Sequence, residues 1–98
     1  MKKRMTEYIG VPAMLEQLGE EAAELAQAAL KLARVMRQEN PTPVTEQEAK
    51  SHLIEEYTDV VQCAEDLGLF VDISQIKVKK ERFERRYYEH RNTGSKGV

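Results

Sequence analysis

One cysteine, no tryptophan, two phenylalanines and three prolines in 98 residues exclude a good deal before any motif is read. The lone Cys63 rules out an intramolecular disulfide and a thiolate metal cluster, so a reducing compartment is the expectation. Its place one turn after Asp59 and Val60 reads as a packed thiol, and nothing near it resembles a Cys–His nucleophile. No apolar run approaches the ~18 residues of a membrane span. Met1-Lys2-Lys3-Arg4 is not followed by the apolar core of a signal sequence, so a cytoplasmic protein without a membrane partner is expected. A glycine-rich phosphate loop is missing as well, which excludes that mode of holding phosphate. A Glu-x-x-His pair of the ferritin type is also lacking: Ala49 precedes His52 and Tyr87 precedes His90 at that spacing. His52 is therefore expected as a polar residue on the exposed side of its helix.

What is present is helical. Alanine, leucine, glutamate and lysine dominate from Pro12 to about Arg37, and Pro12 suits an early helical position, where its missing N–H costs nothing. Gly19 alone interrupts this stretch, either tolerated or marking the close approach of a helix or ligand. The segment Glu39 to Val44, with Pro41 and Pro43, cannot continue a helix. Thr45 and Glu48 form a capping box, so a second helix is expected from Glu46 to about Asp66 or Leu67, with Gly68 as its C-cap. Asp72 and Gln75 open a third, from about Ile73 to His90. Residues 1–10 and 92–98 are expected to be loosely ordered, although Tyr8 and Ile9 could pack over a neighbour. The expected fold is one all-α domain, 1–98, an antiparallel bundle of three main helices. So small a chain buries a thin core alone and would complete it by oligomerisation, as a homodimer or homotetramer.

Two acidic pairs carry the chemistry. Glu21 with Glu24, and Glu56 with Asp59, stand three residues apart inside helical patterns, which puts each pair on one helix face. That face is also the apolar one, with Leu18, Ala22, Leu25, Ala29 and Leu32 beside the first pair and Leu53, Val60, Ala64 and Leu67 beside the second. Carboxylates at the margin of a packed seam are costly to desolvate and repel one another. A hard divalent cation answers both problems: oxygen-only ligands from facing helices suit Mg²⁺ or Mn²⁺ and suit zinc poorly.

The strings Gln17-Leu18-Gly19-Glu20-Glu21-Ala22-Ala23-Glu24-Leu25 and Leu53-Ile54-Glu55-Glu56-Tyr57-Thr58-Asp59-Val60-Val61 together resemble the ExxE…ExxD signature of the MazG-like all-α nucleotide pyrophosphohydrolases. The resemblance runs from about Val11 to Arg91. It implies a helical, Mg²⁺-dependent oligomer that hydrolyses nucleoside triphosphates to the monophosphate and pyrophosphate. Glu21, Glu24, Glu56 and Asp59 match the metal ligands, while the linker carrying Pro41 and Pro43 is long for the family. Under this reading Glu20 is a candidate general base, although it points about 100° away from Glu21. Gln17, one turn before Glu21, and Tyr57 are candidates to touch base or sugar.

Residues 72–98 carry 8 Lys/Arg against 4 Asp/Glu, and residues 1–71 carry 7 against 13, so an acidic pair of helices meets a basic third one. On that third helix Ile73, Ile76, Phe83 and Tyr87 mark a buried stripe, and Lys80 falls within it. Such a lysine either meets triphosphate oxygens beside the metal or bridges to an acid of the first two helices. Lys31, two turns beyond Glu24, and Arg85 are further phosphate candidates. Interleaved acids and a net charge of −2 argue against a nucleic acid polymer as partner. The competing function is a non-catalytic helical oligomer, a binding or assembly module whose acids are solvated or bridged to the basic helix.

Overall fold

The computed structural model describes residues 4–38 and 43–96. Four helices follow one another: α1 (Met5–Ile9), α2 (Val11–Arg37), α3 (Glu46–Asp66) and α4 (Ile73–Lys96). No strand occurs among the described residues, and no helix is long and apolar enough to cross a membrane.

The helix starts follow local chemistry. Thr45 Oγ1 accepts the Glu48 backbone N–H at 3.1 Å, which satisfies one of the orphan donors at the start of α3. Asp72 does the same for Gln75 at 3.2 Å and also accepts the Ser74 hydroxyl, and these bonds hold its carboxyl below the usual range. Gly10, at φ 91, separates α1 from α2, with Pro12 in the first turn that follows. Gly68, at φ 74, closes the end of α3 one residue later than the C-cap Leu67. Residues 5–9 are thus helical where a loose segment was expected, Tyr8 and Ile9 are exposed, and α4 runs past His90 to Lys96. Of the expected Glu39–Val44 loop, residues 39–42 lie outside the described residues, as do residues 1–3 and 97–98 of the expected loose ends.

Helices α2 and α3 pack as an antiparallel pair, and α1 rests on α2. The seam of α2 is Met14, Leu18, Glu21, Leu25, Ala28 and Leu32; that of α3 is Ala49, Leu53, Glu56, Val60, Cys63 and Leu67. Both alternate steps of four and three residues, the spacing of knobs-into-holes packing. Ala22 and Ala29, expected in the stripe, are exposed instead, because the strict alternation passes through Ala28 and leaves them on the flank. Nothing among the described residues lies within 4 Å of a Cβ built on Gly19, so no other helix of the chain makes the close approach that was one reading of that glycine.

Helix α4 departs furthest from expectation. Every described side chain on it is exposed, including Ile73, Ile76, Phe83 and Tyr87 of the supposed buried stripe. Stripe and helix are present, but among the described residues no face of the same chain covers them. The radius of gyration is accordingly 18.5 Å, against about 13 Å for a compact domain of this length.

Candidate metal centre

In each seam, one position that would ordinarily hold an apolar side chain holds a carboxylate. Glu56 is only 9% exposed and Glu21 is half-buried. Glu24, one turn beyond Glu21, reaches the same place from the solvent side, so oxygens of Glu21, Glu24 and Glu56 lie within 4.8 Å of one another. Asp59 is half-buried one turn beyond Glu56 and is not among the three, although its charge is felt at Glu24.

Electrostatics at the cluster are unfavourable to a bare set of anions. The Glu24 carboxyl is pushed above its ordinary value, chiefly by the charge and closeness of the Glu56 carboxyl, then by desolvation, and by Asp59 and Glu20. Among the described residues Oε2 of Glu21 and of Glu56 is buried with no hydrogen-bond partner, as is Oδ2 of Asp66 outside the group. The other oxygens of Glu21 and Glu56 are held: Gln17 Nε2 donates to Glu21 Oε1 at 2.8 Å, and His52 Nε2 donates to Glu56 Oε1 at 3.1 Å. Each of these carboxylates is thus held at one oxygen and leaves the other without a partner. An oxygen-only donor set with orphaned buried oxygens fits Mg²⁺ or Mn²⁺.

The cluster lies between two open clefts. One, of about 610 Å³, is lined by Gln17, Glu21, Asp59, Gln62 and Asp66 over a floor that includes Met14 and Cys63. The Cys63 thiol donates to the Met14 carbonyl at 3.6 Å, and burial, then Glu21 and Asp66, push its pKa up, which makes it an inert packing group, as the sequence suggested. The other cleft, of about 620 Å³, is lined by Glu24, Gln27, Lys31, Arg34, His52 and Glu56.

The remaining candidates divide. Gln17 and Lys31 line the clefts. Glu20 is exposed and lines neither. Tyr57 is exposed on α3 in a row with Ile54 and Val61, away from both clefts, because seven-residue seam spacing turns position 57 outward. Lys80 and Arg85 ride on exposed α4 and, among the described residues, are not brought to the acids of the cluster. His52 is exposed, as expected, and its Nε2 also lies 3.1 Å from Glu56; the four-residue spacing between them was the signal in the sequence. Comparison with protein-family models, curated proteins and solved structures returned no match.

Proposed function

We propose that this chain is a Mg²⁺-dependent nucleoside triphosphate pyrophosphohydrolase of the MazG-like kind, acting as a homo-oligomer. The observation that carries the reading is the buried Glu56 carboxylate, which has one oxygen without a hydrogen-bond partner and lies in a group with Glu21 and Glu24 whose oxygens come within 4.8 Å of one another. Glu21, Glu24 and Glu56 would hold Mg²⁺ or Mn²⁺, with Asp59 one turn away to complete the set. The bound ion supplies charge neutralisation for phosphate oxygens and makes a nearby water more acidic. In the reaction a water oxygen bonds to the α-phosphorus, the bond from that phosphorus to the α,β-bridging oxygen breaks, and pyrophosphate leaves. The water's proton passes to solvent, since Glu20 is exposed and lines neither cleft. Gln17 and His52 hold Glu21 and Glu56 by one oxygen each.

Oligomerisation draws support from the unused surface. The chain exposes 8493 Å², against roughly 5,700 Å² for a compact monomer of its mass. That excess is of the size a permanent interface covers. Helix α4 presents Ile76, Lys80, Phe83 and Tyr87 at four-three-four spacing, the pattern of the α2 and α3 seams, with Lys80 as the one charged residue of the row. Seated on a second copy, that face would complete a bundle and bring a cation toward anionic ligands.

A panel of natural and modified nucleoside triphosphates with Mg²⁺, read as pyrophosphate released, tests the activity. Silence across the panel from folded protein would leave the assembly module as the better reading, since the exposed α4 suits that function equally. Melting under Mg²⁺ titration separates the two: a folded-state ion site raises the midpoint with concentration, while a module shows only a generic ionic response.

A further inference from the structure

The two clefts that meet at the acid cluster differ in charge, and the difference sets a direction. In the first, Glu21, Asp59, Glu65 and Asp66 face a single cation, Arg4, above an apolar floor. In the second, two carboxylates, Glu24 and Glu56, share the cleft with two cations, Lys31 and Arg34. These opposite charges do not neutralise one another. Among the described residues neither cation comes within 4.0 Å of a carboxylate, and Glu56 takes its hydrogen bond from His52 instead. Glu24, Gln27, Lys31 and Arg34 follow at spacings of three, four and three along α2, so they form one row pointing away from the cluster.

We infer that the Gln27, Lys31 and Arg34 end of the second cleft is the seat of the β- and γ-phosphates, and hence of the leaving pyrophosphate, while the nucleoside lies on the side of Gln17, Gln62 and Cys63. This rests on the proposed reaction and gives it an orientation. The terminal phosphates carry most of the substrate's charge, and the first cleft, with four acids against one base, would repel them. The second offers a guanidinium, an ammonium and an amide donor in a line that begins at the ion site. The scissile bond between the α- and β-phosphates then falls over the cluster, which accounts for cleavage there rather than at the γ-phosphate.

The test uses the full-length chain with Mn²⁺, measuring ion binding by the loss of the free-ion resonance signal and ligand binding by calorimetry with inorganic pyrophosphate and, separately, nucleoside monophosphates. Arg34→Gln and Lys31→Gln should each weaken pyrophosphate binding about tenfold. Mn²⁺ and monophosphate binding should stay within about twofold of wild type. Lys50→Gln removes the same charge from an exposed pair with Glu46 and should change none of the three. Pyrophosphate binding unchanged in both cleft variants, or monophosphate binding lost in step with it, overturns the orientation while leaving the ion site standing. Wild-type protein that binds no Mn²⁺ overturns the proposed function itself, before any variant is compared.

Discussion

Replacing Glu56 with leucine should make the metal-free protein more stable and the ion site useless. Glu56 is 9% exposed in the α3 seam between Leu53 and Val60, with one oxygen lacking any partner. A leucine packed there is worth about 1.5–3 kcal/mol of apolar burial, and the substitution also ends the repulsion from Glu24. Against this stands the hydrogen bond from His52 to Glu56 at 3.1 Å, whose loss costs about 1 kcal/mol at most because His52 is half exposed. A net gain of about 1–3 kcal/mol is the range found when buried ionic groups give way to apolar ones. For a chain of this size that corresponds to a rise of roughly 5–20 °C in melting midpoint.

Calorimetry in chelator measures this directly, at one fixed protein concentration because assembly would otherwise move the midpoint. Repeating the scan across a Mg²⁺ series should raise the wild-type midpoint and leave Glu56→Leu flat. A variant that melts below wild type in chelator would show that the carboxylate serves packing rather than a ligand. A variant that keeps the Mg²⁺-dependent rise would place the ion elsewhere. Either result refutes the reasoning. The conservative Glu56→Gln, which removes charge and keeps shape, should lose the Mg²⁺ response with a smaller gain in stability.

Other consequences can be checked on the same material. The Glu24 carboxyl is raised above its ordinary 4.5, first by the charge of Glu56. The folded state therefore keeps a proton that the unfolded chain has released, so this group's contribution is fully present below 4.5 and is lost as pH climbs through the raised folded value. Melting midpoints in chelator should fall across that window in wild type and less steeply in Glu24→Gln; parallel curves would dissociate the slope from Glu24. On α4, Phe83 is 71% exposed. Phe83→Asp should shift the particle toward monomer by light scattering at unchanged helicity, and an unaltered mass would remove α4 from the interface. Thr45→Ala removes the 3.1 Å bond to the Glu48 N–H and should cost about 1 kcal/mol in denaturant melts.

Local chemistry was legible residue by residue. Thr45 with Glu48, and Asp72 with Gln75, set the starts of α3 and α4 through bonds that span only three residues. The start of α3 and its end at Asp66 match the expectation for the same reason. The phase of the seam was harder to read. Alanine is nearly indifferent between seam and flank, so Ala22 and Ala29 could stand in for Met14 and Ala28 until the strict four-three alternation was applied from end to end. The exposed state of α4 was not legible at all, because amphipathicity records that a face needs cover and is silent on which chain supplies it. Short α1 has too few residues for a period to show, and Gly10 at φ 91 is its one local mark.

The alternation of the seams also explains how four acids are shared out. Three residues on from a seam position lies another; for Glu21 that would be Glu24, yet α2 continues its seam at Leu25, four residues on, and turns Glu24 to the cleft mouth. On α3 the same step passes Asp59 and continues at Val60. Each helix therefore contributes one inner and one outer acid. Because the helices run in opposite directions, the outer acid of α3 falls beside the inner acid of α2, so that Glu21 and Asp59 line one cleft and Glu24 and Glu56 the other. Each acid of the inner pair has one buried oxygen without a partner, and neither acid of the outer pair does among the described residues. An ion seated between them would be gripped from inside the seam and open to ligands on both sides, which is the arrangement a substrate laid across both clefts requires.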